Sequence, residues 1–244
     1  MTATTRIHLP LGRGGQIVEA VFIDRPNRFL VRARLGHEVV EAHLADRGRL
    51  AETLVPGARL LLAHATGNAR KTRFQAVGAW RGRKLVSTDT HLPNRLIEAA
   101  LGVGALAPFD GYPRVRREVK IGASRFDFQV HADDGRCCTI EVKSVGLEIG
   151  GVGLFPDAPT SRGLRHLGEL AMRVRGGERA AVLFVVQSAR ARAMRVHHAI
   201  DPDFAAGLRR AAEAGVEVLA YACPLTPRGL SLGRRVPVLD VERE

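Results

Sequence analysis

The chain has 244 residues, 45% apolar and 25% charged, the proportions of a globular protein with a packed core. No apolar run nears the ~20 residues of a membrane helix, the longest being Ala180 to Val186, and no basic leader precedes an apolar stretch, so a cytoplasmic protein is expected. Three cysteines, two of them the neighbours Cys137 and Cys138, make neither a disulfide framework nor a paired zinc motif, while a net charge of +12 points to a polyanionic partner, DNA or RNA.

That charge is uneven. Residues 1–90 carry 15 basic and 7 acidic groups, net +8, whereas residues 91–244 carry 22 and 18, net +4. The amino-terminal part is therefore the stronger phosphate-binding candidate. Arginine outnumbers lysine 33 to 4, however, which also fits an arginine-rich coding bias.

From Gln16 the sequence reads as short strands separated by turn signals: Ile17 to Ile23, Arg28 to Leu35, Val39 to Leu44, Arg59 to His64, Phe74 to Trp80 and Lys84 to Ser87. Five or six such strands, punctuated by Gly57, Gly67 and Gly82, suggest a small OB-like barrel over residues 1–88, a common platform for nucleic acid. Gly12 to Gly15 reads as a flexible terminus. With few aromatics besides Phe29, Phe74 and Trp80, backbone binding is expected rather than base stacking.

Residues 89–244 change pattern to a helix, three strands, then helix, strand, helix and strand, the order of an α/β domain. The first helix, Pro93 to Leu101, stops at Gly102 and carries Glu98 beside its apolar stripe. The second begins after Thr160 as N-cap, buries Leu164, Leu167, Ala171 and Val174, and bears Arg162, His166, Glu169 and Arg173 on another stripe. Ala180 to Val186 reads as a strand covered on both faces, followed by a helix from Asp203 to Ala214 and a strand from Val216 to Ala222.

Between the first two helices, Arg125-Phe-Asp-Phe-Gln-Val-His131 and Cys138-Thr-Ile-Glu-Val-Lys-Ser144 read as a hairpin. Alternation puts Phe126, Phe128 and Val130 on one face and Asp127 with Gln129 on the other; Thr139, Glu141 and Lys143 likewise share a face. A three-residue turn, Asp133 to Gly135, pairs Ala132 with Arg136 and sets Asp127 opposite Glu141. Two carboxylates roughly 5 Å apart across strands repel unless a cation lies between them. An oxygen-only donor set suits Mg²⁺ or Mn²⁺ rather than zinc, and the Val142 carbonyl is a further candidate donor. Lys143, about 6.6 Å along the same face from Glu141, is placed to meet a water or a scissile phosphate. The same residues also fit a solvated ion-pair face holding no metal. Against that, a generic cation in so arginine-rich a chain would be arginine.

Asp127, thirteen residues, then Glu141-Val142-Lys143 resembles the PD-(D/E)xK nuclease core, whose element order is also helix, hairpin, strand, helix, strand. Pro156-Asp157 and Pro202-Asp203 follow the Glu-x-Lys and do not supply its upstream acid. More closely, the chain resembles the sugar fermentation stimulation protein family, described as DNA-binding proteins and predicted nucleases. The residues that carry this likeness are Arg28-Phe-Leu-Val31, Gly48-Arg-Leu50 with Pro56-Gly57, Asn94-Arg-Leu96, Glu118-Val-Lys120, Arg125-Phe-Asp127, Glu141-Val-Lys-Ser144, Phe155-Pro-Asp-Ala158, Arg162-Gly163 and His166-Leu167. It departs at Arg47, where members often have a hydroxyl residue.

The resemblance implies an OB-like barrel joined to a restriction-endonuclease-like α/β domain, with Asp127, Glu141 and Lys143 at its active site. Around that centre the residues offer Glu98 as an extra acid reaching Mg²⁺ or Mn²⁺ through water. Arg28, Arg47, Arg49, Arg162 and His166 are candidates for gripping nucleic-acid phosphates. A metal-dependent DNA or RNA phosphodiesterase is thus expected, the alternative being a non-catalytic DNA-binding regulator on the same scaffold. His197-His198 is read as loop, since consecutive side chains diverge, and Gly150 to Gly153 as a mobile loop beside the site.

Overall fold

A computed structural model describes residues 7–46, 48, 50, 52–65, 72–239 and 241. The chain divides into two compact units, His8–Leu92 with Leu225–Ser231, and Pro93–Pro224 with the segment from Leu232 onward. The boundary expected between residues 88 and 89 leaves out that returning segment, in which Leu230 and Ser231 pair antiparallel with Leu9 and His8.

The first unit is built on β1 (Ile17–Asn27), β2 (Leu30–Leu35), β3 (Glu38–Leu44), β4 (Arg59–His64), β5 (Phe74–Arg81) and β6 (Lys84–Ser87). They run β3-β2-β1-β4-β5-β6 in the sheet, and a parallel pairing of Ala42 with Phe74 and Leu44 with Ala76 joins β3 to β5. That closes a five-stranded barrel in OB order, removing the free edges an open sheet would leave. Alternation fills its interior: Val31, Ala33, Ala42, Leu44, Leu60, Leu62, Phe74 and Ala76 are all buried. Phe74 is therefore lost to base stacking, while Phe29 keeps 42% of its surface exposed. Arg28 and Phe29 form the two-residue turn between the paired Asn27 and Leu30, not the start of a strand, because the Asn27 side chain accepts from the Phe29 amide at 2.9 Å. The expected flexible Gly12 to Gly15 is instead a fixed turn; a Cβ on Gly12 would meet the Ala63 Cβ at 2.1 Å.

The second unit holds α1 (Leu92–Gly102), β7 (Arg114–Ile121), β8 (Ser124–His131), β9 (Cys137–Val145), α2 (Ser161–Arg175), β10 (Arg179–Val186), α3 (Pro202–Glu213) and β11 (Glu217–Ala222). Its main sheet runs β11-β10-β9-β8-β7, with the strand Arg235–Val236 outside β11. β9, β10 and β11 are parallel, and β7 to β9 form an antiparallel meander. Helices α2 and α3 bury Leu167, Leu170, Phe204 and Leu208 with Val182, Phe184 and Val186 of β10, whose unbroken apolar run is thus explained. Thr160 caps α2 by accepting from the Gly163 amide, and Asp201 caps α3 by accepting from Phe204.

Gly150 and Gly151 do not form a mobile loop. They are the left-handed turn of a hairpin, Leu147–Ile149 with Val152–Phe155, and the latter strand pairs parallel with Ala193–Val196. No helix among the described residues is long and apolar enough to cross a membrane.

Candidate active site

The β8–β9 turn has the expected geometry: Gly135 takes a φ of 89°, and the Ala132 amide donates to the Arg136 carbonyl at 2.9 Å. The ladder then runs from His131 opposite Cys137 to Phe128 opposite Ile140, and stops. One step further in the same register lie Asp127 and Glu141. Where the ladder ends, the Val142 amide is free to turn to the Asp127 side chain, donating to Oδ2 at 2.7 Å, while Asn94 of α1 donates to Oδ1 at 2.6 Å.

The expected alternation fails at this point. Arg117, paired opposite Phe128, reaches Glu98 on α1, whereas Phe126, only two residues along, stacks its ring 5.2 Å from His166 on α2. Phe126 and Phe128 therefore point to opposite faces. Glu118 and Asp127 stand between the paired residues Arg117–Phe128 and Val119–Phe126, and Glu118 has a φ of 50°. A left-handed non-glycine residue there twists both strands by one side-chain position, so Asp127 lies at the crossover rather than flat on one face.

Glu141 is 5% exposed, and its Oε1 sits 2.6 Å from Lys143 Nζ and 2.7 Å from His166 Nδ1, the latter at a poorer angle than an ideal hydrogen bond. Its Oε2 is buried with no hydrogen-bond partner among the described residues. Burial raises the Glu141 pKa, but His166 and Lys143 outweigh that and hold the carboxyl below its usual range. Asp127 behaves in the opposite way. Burial first, then the charge on Glu141, push it up to about 6, and the Val142 amide, Lys143 and Asn94 only partly offset them. Glu141 is favoured as the ion by its neighbours, whereas Asp127 is disfavoured as the ion by burial and by the Glu141 charge.

Lys143 joins the pair as the sequence spacing implies. Glu98 does not come to it, because its carboxylate is taken by Arg117 at 2.9 Å, and among the described residues no group of three or more His, Cys, Asp and Glu side chains is arranged to hold a metal ion. His166, expected to grip phosphate, is 1% exposed and turned to Glu141 instead. On the same stripe His166 is buried, and Arg173 donates to Thr139 Oγ1 at 3.1 Å. Arg162 is exposed, with its Nε 3.5 Å from His166 Nε2, and Arg28 is exposed at the barrel turn; Arg47 and Arg49 lie outside the described residues. Asn94 was missed, although its i, i+4 spacing to Glu98 marked the same helix face. The cysteines are all free thiols, and burial raises Cys138 to about 12, so it is no nucleophile.

Residues 91–229 match the model of the sugar fermentation stimulation protein RE domain, and residues 23–88 that of the SfsA N-terminal OB domain. The chain belongs to the sugar fermentation stimulation protein (SfsA) family. A homolog from Chloroflexus aurantiacus is 50% identical over 232 residues, covering 95% of this chain and 89% of that one. One from Moorella thermoacetica is 46% identical over 217 residues, covering 88% and 94%. The SfsA of Pyrococcus furiosus, solved in complex with Ca²⁺, superposes with a TM-score of 0.83 at 28% identity, covering 94% of this chain and 99% of that one. An N-terminal OB barrel followed by a restriction-endonuclease-like α/β domain is thus the family fold.

Proposed function

We propose that this SfsA-family protein is a divalent-cation-dependent phosphodiesterase acting on DNA or RNA, with Asp127 and Glu141 as cation ligands and Lys143 beside them. The observation that carries the reading is the unsatisfied pair: a buried Glu141 Oε2 without a donor next to a carboxylate whose ionisation is suppressed by burial and by that neighbour. A buried acceptor with no partner costs about 1–3 kcal/mol, a debt that a cation between the two groups removes. Carboxylate oxygens fit Mg²⁺ or Mn²⁺, the imidazole at hand, His166, being turned to Glu141 Oε1. The Ca²⁺ held by the Pyrococcus furiosus relative, another hard cation, supports the same donor chemistry.

When bound, such a cation supplies charge neutralisation for a phosphodiester and a more acidic water. The chain's own groups do the rest. Lys143 spends one ammonium donor on Glu141 Oε1 and has two more with which to orient a water or steady a phosphate oxygen. Asn94 and the Val142 amide fix both oxygens of Asp127, so its direction is set before substrate arrives. Exposed Arg162 in the nuclease-like unit, and Arg28 with Arg47 and Arg49 in the barrel sequence, are the groups offered for phosphate contacts.

A second reading, a nucleic-acid-binding protein without catalysis, is favoured by the engagement of Glu98 with Arg117. Cleavage of labelled DNA and RNA in Mg²⁺ or Mn²⁺, abolished by EDTA and reduced at least a hundredfold in Lys143→Ala, is the outcome expected of the enzyme. Equal traces of cleavage by wild type and Lys143→Ala, with salt-sensitive binding intact in both, would leave the second reading standing.

A further inference from the structure

Glu141 has two nitrogens against one oxygen and, among the described residues, no hydrogen-bond partner on the other, and the asymmetry traces to α2. His166 lies nearly two turns after the Thr160 cap, its ring held against Phe126 and 1% exposed, with Nδ1 2.7 Å from Glu141 Oε1. At that separation Nδ1 turns its hydrogen rather than its lone pair to the carboxylate, at an angle poorer than an ideal hydrogen bond. On the other side of the ring, Arg162 Nε, which can only donate, faces Nε2 at 3.5 Å. Both contacts place the ring hydrogen on Nδ1 and leave Nε2 as the acceptor toward Arg162. Neither contact is needed for packing, since Phe126 would pack as well on a ring without nitrogens.

We propose that His166 is the positioning residue of the cation site: together with Lys143 it saturates Oε1 and so presents Oε2 of Glu141 as the single ligand atom, while Arg162 holds the imidazole in the tautomer this requires. The inference rests on the cation site proposed above and assigns the role of a residue that touches neither cation nor substrate. Side chains standing one bond behind a ligand commonly contribute ten- to hundredfold to metal affinity by fixing ligand direction. Arg162, exposed at the far end, acts on the cation only through the imidazole, so its share of the metal affinity is the smaller one.

Three variants separate this role from packing. His166→Phe keeps a ring against Phe126 and removes the donor. His166→Asn places an amide nitrogen at the same distance along the side chain as Nδ1. Arg162→Gln changes an exposed group. Mn²⁺ binding is measured by calorimetry on the full-length protein, with circular dichroism confirming the fold of each variant. The expected order is wild type tightest, His166→Asn within a few-fold of it, Arg162→Gln weaker by a few-fold, and His166→Phe weaker by ten- to hundredfold. Wild-type affinity in His166→Phe, or equal weakness in His166→Asn and His166→Phe, would overturn the positioning role while leaving the cation site intact. A wild type that binds no Mn²⁺ would overturn the site itself, and this inference with it.

Discussion

The opposite electrostatic states of the two carboxylates give opposite signs to two nearly identical substitutions. Asp127 has a carboxyl raised from 3.8 to about 6, so ionising it in the cation-free protein costs about 3 kcal/mol at pH 8 relative to the unfolded chain. Asp127→Asn removes that charge. It also removes one acceptor, because the amide oxygen serves only one of the two donors, Asn94 and the Val142 amide, at a loss of about 1–1.5 kcal/mol. A net gain of about 1.5 kcal/mol remains, or about 3–6 °C in melting temperature for a protein of this size. Thermal unfolding followed by circular dichroism in EDTA at pH 8 reads it directly. A group whose folded pKa is raised binds more protons when folded, so wild-type stability should climb as pH falls from 7 toward 4, and the advantage of the variant should vanish by about pH 4. Added Mn²⁺ should stabilise wild type, by about 2.7 kcal/mol at a hundred times its dissociation constant, and leave the variant unmoved. An Asp127→Asn protein that melts below wild type in EDTA would show that Asp127 carries no destabilising charge, and one that keeps the Mn²⁺ shift would show that Asp127 is no cation ligand.

Glu141→Gln should go the other way. It strips the counter-charge from Lys143, whose side chain is only 14% exposed, and the expected loss is about 3 kcal/mol in EDTA by urea unfolding, with the Mn²⁺ shift lost as well. Asp201→Ala removes both the cap of α3 and the acceptor of the Thr160 amide at 2.7 Å, for an expected loss of about 1–2 kcal/mol with cation affinity within a few-fold of wild type.

The barrel strands and the hairpin register were legible because each rests on a local rule: alternation, a Gly135 that accepts a left-handed turn, an apolar run for a strand covered on both faces. What alternation could not reveal is the crossover at Asp127. It depends on Glu118, in the neighbouring strand, adopting a positive φ for which no residue preference argues. The same non-local cause misplaced Phe126 relative to Phe128. His166 and Glu98 were visible as polar residues on helix stripes. Which way each turns depends on partners distant in sequence, Glu141 for one and Arg117 for the other, and helical spacing carries no information about those. The hairpin at Gly150-Gly151 was hidden because its partner strand, Ala193–Val196, lies some forty residues further on.

The route of the chain at Leu225–Ser231 bears on how the barrel can be isolated. After completing most of the nuclease-like unit, the polypeptide returns to lay Gly229–Ser231 against His8–Leu9, and Leu230 there is wholly shielded from solvent. A fragment cut after Leu92 would keep the five barrel strands and lose that covering, exposing the edge of His8–Leu9 and the apolar surface under Leu230. Severing the linear sequence at the apparent domain border thus yields a sticky barrel, and the OB unit reaches its native surface only once the far end of the protein has been made.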